Sequence, residues 1–196
     1  MRLVLAGAVS CCALAVTFCA SAPEFDLVIR GGDVIDGTGS AARMTDVGIK
    51  GDRIAAIGNL AERSAGQVID ATGKVVSPGF IDTQGQSGTT LLVDGNGESH
   101  VRQGITSEII GEGNSPAFWT PRSADTQTLQ RFGLEFDWQS LDGYFQALED
   151  RGTSINVGTL VPATMARREV VGLDDRKATP EEIRRMEEFV ENGMRA

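Results

Sequence analysis

Cysteine and histidine are nearly absent from this chain. The 196 residues contain three cysteines and one histidine, His100. The cysteines are Cys11, Cys12 and Cys19, all inside an apolar N-terminal segment with the features of an export signal. We therefore expect a mature chain without thiols, which excludes disulfides, cysteine-based zinc sites and cysteine nucleophiles. A Ser-His-Asp triad within these residues would depend on His100 alone.

Positive charge is also scarce. Lysine and arginine number 18 against 27 aspartates and glutamates, so the formal net charge is −9. Nucleic acids and anionic membrane surfaces would repel such a chain. We therefore expect no nucleic-acid partner, while the charge leaves the substrate and the oligomeric state open.

The apolar N-terminal segment predicts a signal peptide. Residues 3–20 are almost wholly apolar, and Ala-Ser-Ala at 20–22 is the small-residue pattern that signal peptidase recognises. The alternatives are a retained membrane anchor, for which the run is about as short as possible, and a lipoprotein, which Phe18 before Cys19 disfavours. We predict that residues 1–22 are a signal peptide, that the protein is periplasmic or secreted, and that the mature chain has no stable membrane insertion.

Residues 23–73 have the pattern of short strands separated by glycine turns. The predicted strands are Phe25–Arg30, Asp33–Asp36, Asp46–Lys50, Arg53–Gly58 and Gln67–Asp70. Short alternating strands at such spacing are typical of a small β-sandwich. We predict that this segment is part of such a domain.

From residue 74 onward the pattern changes to alternating strands and helices. Strands are expected over 74–82, 105–110 and 154–161, and helices over 90–103, 140–151 and 180–194. The strand at 74–82 has the composition of one buried on both faces. This alternation predicts an α/β fold with a parallel sheet. Residues 114–139 are expected to form a long loop or insertion whose aromatic side chains pack rather than bind substrate.

Two helices carry start signals. Ser140 is expected to cap the helix over 140–151. Thr179 is expected to cap the last helix, with Pro180 at its first position and Glu182 completing a capping box.

Candidate site residues follow from the parallel sheet, because ligands meet the carboxyl ends of its strands. The segments just past the predicted strands are Asp82–Gln86, Gly111–Ser115 and Val161–Thr164. Asp82 would end an apolar strand, where a buried carboxylate needs a partner, so either a site role or a structural hydrogen bond is expected. His100 is expected on the outer surface of the helix over 90–103.

A series of stretches from Phe25 onward resembles a known family. The stretches are Phe25–Gly32, Val34–Gly39, Val47–Ile49, Arg53–Gly58, Val68–Val76, Pro78–Asp82, Val101–Thr106 and Thr179–Glu182. Together they resemble the amidohydrolase superfamily and are most similar to its D-aminoacylase (N-acyl-D-amino-acid deacylase) branch. The resemblance implies a small β-sandwich followed by a metal-bearing (β/α)8 barrel.

The resemblance also implies an activity. A divalent metal, with zinc expected and one ion favoured over two, would polarise an amide carbonyl and activate water. The small-molecule substrate would be an N-acyl-D-amino acid or a dipeptide-like amide. A cyclic-amide hydrolase of the dihydropyrimidinase type is one alternative, and a metal-free barrel with a binding or structural role is the other.

Residues 74–196 are too few for a closed barrel, which takes roughly 250 residues. We therefore expect them to be the first strands and helices of an incomplete barrel. Such a piece is expected to be inactive by itself, with catalytic residues and further metal ligands beyond Ala196.

The chain departs from the family at two places. Where the family has His-x-His after the first barrel strand, this sequence has Gln84-Gly85-Gln86, and carboxamides are weak zinc ligands. Where the family has a cysteine ligand after the second strand, it has Gly113, between Glu112 and Asn114. We predict Glu112 as a candidate metal ligand, with a solvated turn residue as the alternative. Asp82, Gln84, Gln86 and Asn114 are predicted to lie near substrate or metal, although loop hydrogen bonding also suits the glutamines.

Overall fold

A computed structural model describes residues 22–121, 123–138 and 140–195. Apart from Ala22, the predicted signal peptide lies outside the described residues, as do the three cysteines. The chain divides into two compact units between Pro78 and Gly79.

The first unit is built around one mixed β-sheet. Its strands are β1 (Phe25–Val34), β2 (Arg43–Lys50), β3 (Arg53–Gly58), β4 (Ala65–Asp70) and β5 (Val75–Val76). The sheet order is β3-β2-β1-β4, and β5 also pairs with β1. Strand β2 is antiparallel to β1 and β3, whereas β4 and β5 run parallel to β1. The two strands predicted on either side of Gly31-Gly32 form one continuous strand, with an irregularity between Ile29 and Gly32.

The core of this unit is small. Phe25, Val28 and Leu60 are buried together. A side chain at position 48 would collide with the Phe25 ring, at 2.7 Å from its Cε1 atom, so Gly48 lets that ring cover the sheet. Within residues 22–78 the strands form a single sheet, so the β-sandwich stays a prediction.

The predicted strand over residues 74–82 is wrong. Strand β5 belongs to the first sheet, and β6 (Phe80–Asp82) belongs to a second one. Pro78 lies between them, and proline has a fixed φ and no N–H to donate to a sheet. The expected burial is also wrong, because Val75 and Ile81 are each 63% exposed.

The second unit has a parallel three-stranded sheet flanked by helices. Strand β7 (Ile105–Ile110) lies between β6 and β8 (Asn156–Thr159). The helices are α1 (Thr90–Val93), α2 (Glu98–Val101), α3 (Thr126–Arg131), α4 (Leu141–Arg151), α5 (Ala163–Val170) and α6 (Pro180–Arg195), with a 3₁₀ turn over Pro116–Phe118. The α/β alternation predicted from the sequence is confirmed. The single helix predicted over 90–103 is instead two short ones, because Gly97 adopts φ of +51° before α2. Helix α5 was not predicted, and neither was α3, which lies in the segment 114–139 that was expected to be a long loop or insertion.

Aromatic side chains organise the core of this unit. Trp119 and Trp138 are buried with their rings stacked 6.4 Å apart, and the Trp138 indole donates to the Pro116 carbonyl at 2.8 Å. Tyr144 and Leu148 of α4 join the same cluster. The packing role predicted for the aromatic residues of 114–139 is confirmed for both tryptophans.

The predicted helix starts are confirmed. The Ser140 hydroxyl accepts from the Gly143 N–H at 3.0 Å. At α6, the Glu182 N–H donates to the Thr179 hydroxyl at 3.2 Å and the Thr179 N–H donates to the Glu182 carboxylate at 2.8 Å. In the part of the chain that the structure describes, every helix is too short or too polar to cross a membrane.

Candidate active site

The turn after β6 places the Gln84-Gly85-Gln86 segment at the carboxyl end of the sheet. The Gln84 N–H donates to the Asp82 carboxylate at 3.0 Å, and the Gly85 N–H donates to the Ile109 carbonyl of β7 at 2.9 Å. Asp82 thus makes the structural hydrogen bond that was one of its two predicted roles. The second bond ties the turn to the neighbouring strand.

The loop after β7 is held by β8 and the residue that follows it. The Leu160 N–H donates to the Ile110 carbonyl at 2.8 Å, and the hydroxyls of buried Ser115 and Thr159 are 2.9 Å apart. Gly111 has φ of +96°, and a side chain there would come within 2.7 Å of the Leu160 carbonyl oxygen. Glycine is therefore required at this position, and the loop projects Glu112 and Asn114 from the sheet edge.

The two loops meet through the side chains of Gln84 and Glu112. The Gln84 carboxamide donates from Nε2 to Oε2 of Glu112, and both residues are exposed. A carboxamide that donates in this way keeps its carbonyl oxygen as an acceptor for other groups.

Gln86 and Asn114 meet around a small cavity. They line a space of about 80 Å³ together with Gly88, Ile110 and Pro116. The Asn114 carbonyl oxygen accepts from the Trp119 indole at 3.1 Å, which ties the rim of this cavity to the aromatic core. Asp82 therefore ends β6, and Gln84, Gln86, Glu112 and Asn114 follow the two adjacent strand ends. Their roles toward substrate or metal stay predictions.

The donor set at this edge does not fit a zinc ion. Among the described residues, no group of three or more histidine, cysteine, aspartate or glutamate side chains is placed to hold a metal. Glu112 is bonded to the Gln84 carboxamide, and a neutral carboxamide is a weak substitute for the imidazole and thiolate ligands that zinc prefers. The other donors at this edge are the three neutral carboxamides of Gln84, Gln86 and Asn114 and the Asp82 carboxylate, which accepts from the Gln84 N–H.

Glu108 was missed by the sequence reasoning. It lies in the middle of β7, and its side chain is fully buried. The Ser87 N–H donates to its Oε1 at 3.0 Å, and the Ser87 hydroxyl donates to its Oε2. A glutamate inside the β-branched run Ile105–Ile110 was the available signal, because a charged side chain in a buried strand requires partners.

His100 is also placed differently from the prediction. Its Nε2 lies 3.7 Å from Oε2 of Glu108, and its side chain is 16% exposed. The expectation of an outer-surface histidine is wrong, because the break before α2 turns this short helix toward β7.

Tyr144 of α4 contacts the segment that follows the turn. It is fully buried, and its hydroxyl donates to the Gly88 carbonyl at 2.9 Å. Burial, and secondly the negative charge of Glu108, raise the pKa of the Tyr144 phenol well above its usual range. The phenol therefore stays protonated and serves as a fixed donor to the segment that follows the turn.

Comparison with known proteins identifies relatives of this chain. No family model matches the sequence. An N-acyl-D-glutamate deacylase of Alcaligenes xylosoxydans xylosoxydans is 38% identical over 176 residues, which cover 88% of this chain and 36% of that protein. A D-aminoacylase of the same organism is 32% identical over 173 residues, 87% of this chain and 36% of that protein. The chain is homologous to the D-aminoacylases. The resemblance seen in the sequence is therefore confirmed.

A solved structure agrees. The N-acyl-D-glutamate deacylase of Bordetella bronchiseptica matches with a TM-score of 0.74 at 32% identity, over 88% of this chain and 36% of that one. That protein is complexed with zinc and with a phosphonate inhibitor that mimics the tetrahedral intermediate. The α/β architecture described above thus matches an amidohydrolase structure. The chain spans about 36% of the length of the relatives it matches.

Proposed function

We propose that the whole protein is an amidohydrolase that cleaves the linear amide bond of an N-acyl-D-amino acid or a dipeptide-like compound. The observation that carries this proposal is the match along 88% of the chain to an N-acyl-D-glutamate deacylase, including both strand ends of the candidate site. Because the match covers 36% of that relative, the activity is proposed for the whole protein and not for residues 22–195 by themselves.

The described residues suit recognition of a small amide. Gln84, Gln86 and Asn114 carry neutral carboxamides at the strand ends, and carboxamides both donate and accept hydrogen bonds. They can therefore pair with an amide or carboxylate of the substrate without adding charge. Glu112 is the one charged side chain that projects from the loop after β7 at this edge.

The described residues do not form a zinc site by themselves. The Bordetella relative holds zinc, whereas the donor set described here does not fit it. We propose one divalent ion rather than two, since Glu112 offers this edge a single carboxylate ligand. Metal content is consequently the measurement that separates a hydrolase from a metal-free barrel with a binding or structural role.

The architecture and location of the whole protein are proposed on the sequence pattern. We propose a small β-sandwich over residues 23–73 and the start of a (β/α)8 barrel over 74–196. The run of parallel strands β6, β7 and β8 with intervening helices supports the barrel. The apolar segment and small residues within 1–22 support export to the periplasm or the exterior.

The activity is tested with purified full-length protein. N-acetyl-D-glutamate and N-acetyl-D-leucine are the substrates, their L-enantiomers are the stereochemical controls, and dihydrouracil represents cyclic amides. We expect D-amino acids to be released, as measured by chiral chromatography, with none from the L-enantiomers. We also expect one equivalent of divalent metal, zinc foremost, by mass spectrometry.

The other outcomes decide between the alternatives. Turnover of dihydrouracil alone would show that the protein is a cyclic-amide hydrolase. Absence of both turnover and stoichiometric metal in folded protein would overturn the proposal and favour a metal-free barrel.

A further inference from the structure

A buried carboxylate lies directly beneath the Gln84-Gly85-Gln86 turn. Glu108 is 0% exposed, and a side chain added at Gly85 would come within 1.8 Å of its Oε1. The turn backbone therefore rests on the carboxylate with no room for a methyl group. A charge buried in this way is costly unless hydrogen bonds and a counter-charge compensate for it.

Ser87 connects this carboxylate to the chain that follows the turn. Its N–H and its hydroxyl both donate to Glu108. Its carbonyl in turn accepts from the Leu91 N–H at 2.9 Å and from the Thr90 hydroxyl at 3.0 Å, at the start of α1. One carboxylate thus fixes the end of the turn and the beginning of the next helix.

The groups facing Glu108 come from two further elements. From α2, His100 places Nε2 at 3.7 Å and supplies a positive charge when protonated. From α4, Tyr144 is held neutral and bonded to the Gly88 carbonyl. The strand, the turn and these two helices therefore converge on one buried carboxylate, which lies under the exposed pair Gln84 and Glu112.

We propose that Glu108 is a positioning residue for the candidate active site. Its carboxylate holds the segment Gln84–Ser87 against β7, with the His100 imidazole beside it, so that the Gln84 and Gln86 carboxamides meet the substrate in one fixed arrangement. This inference rests on the proposed amide hydrolysis. It assigns no contact between Glu108 and substrate.

The kinetic test compares three variants of the full-length protein. Glu108→Ala removes the anchor, and Glu108→Gln keeps an oxygen that can accept from the Ser87 N–H. Glu98→Gln, at an exposed position of α2, is the matched control. A misplacement of about 1 Å costs about a hundredfold in rate. We therefore expect kcat of Glu108→Ala to fall about a hundredfold, with partial rescue in Glu108→Gln and no change in Glu98→Gln. A folded Glu108→Ala protein with the kcat of the control would overturn the proposal.

A second readout does not depend on activity. Hydrogen exchange of residues 84–88 should be slow in the wild type, because the Gly85 and Ser87 amides are bonded to Ile109 and Glu108. We expect faster exchange there in Glu108→Gln and in Gly85→Ala, whose methyl group would displace the turn, but not in Glu98→Gln. Unchanged exchange in both variants would overturn the anchoring. If the wild type lacks turnover, the proposed function fails while this measurement still decides the anchoring.

Discussion

In the first unit, the buried carboxylate of Asp46 joins the irregular part of β1 to the segment that follows β3. It accepts from the Gly31 N–H at 2.8 Å and from the Leu60 N–H at 2.9 Å. Asp46→Ala would leave both donors without this partner, and each unsatisfied buried group costs about 1–3 kcal/mol. We expect the free energy of unfolding to fall by about 2–3 kcal/mol, measured by urea denaturation.

The matched control is Asp52→Ala. The Asp52 side chain is 86% exposed, so its removal should change stability by less than about 0.5 kcal/mol. Equal effects of the two substitutions would contradict a structural role for Asp46.

Single residues also show how far the sequence alone can define the site. Asp82–Gln86 and Gly111–Ser115 were predicted as site segments because ligands meet the carboxyl ends of parallel strands. The bond between Gln84 and Glu112 was not predictable, since it depends on a turn resting on Glu108. His100 was misplaced for a related reason. The break that turns α2 depends on the φ of Gly97, which a helical pattern does not reveal.

At the scale of elements, the first turn of helix α6 contains a titratable residue, Glu182. The Arg176 guanidinium donates to both oxygens of Glu182, at 2.8 and 2.6 Å. This bond and that from the Thr179 N–H lower the pKa of Glu182 from its ordinary value of 4.5 to about 2. Because the folded pKa is the lower one, the carboxylate stabilises the folded state above pH 4.5 and loses this effect as pH falls toward 2.

A pH series checks this sign. The free energy of unfolding of the wild type should exceed that of Glu182→Gln near neutral pH, and the difference should shrink between pH 4.5 and 2. Glu188→Gln, an exposed substitution on the same helix, is the control. A difference between wild type and Glu182→Gln that persists at pH 2 would show that Glu182 acts through packing and not through its charge.

Elements with strong local signals were predictable, and those set by tertiary packing were not. The starts of α4 and α6 followed from Ser140 and Thr179, whose hydroxyls bond nearby N–H groups. The strand at 74–82 was not divided correctly. Its apolar run resembles one buried strand. In the structure, the residues before Pro78 form β5 and pair with β1, whereas those after it form β6 and pair with β7.

At the scale of the whole molecule, both units expose apolar side chains. In the first unit Ile54 is 65% exposed, and in the second Ile81 of β6 is 63% exposed. Strand β6 is also at the edge of its sheet, where unpaired backbone groups add to the apolar surface. Stable monomers seldom expose large contiguous apolar patches. A polypeptide that exposes these side chains is therefore prone to self-association.

We expect a polypeptide of residues 23–196, produced by itself, to self-associate and to lack amidase activity. Light scattering after size exclusion measures its mass. Ile81→Lys, which places a charge on the edge strand, should lower the associated fraction, whereas Asp52→Lys, exposed elsewhere, should not. A monomer that unfolds cooperatively would contradict this expectation, because the exposed faces would then be compatible with an independent fold. Loss of association in Ile81→Lys alone would identify the β6 edge as the surface through which copies pair.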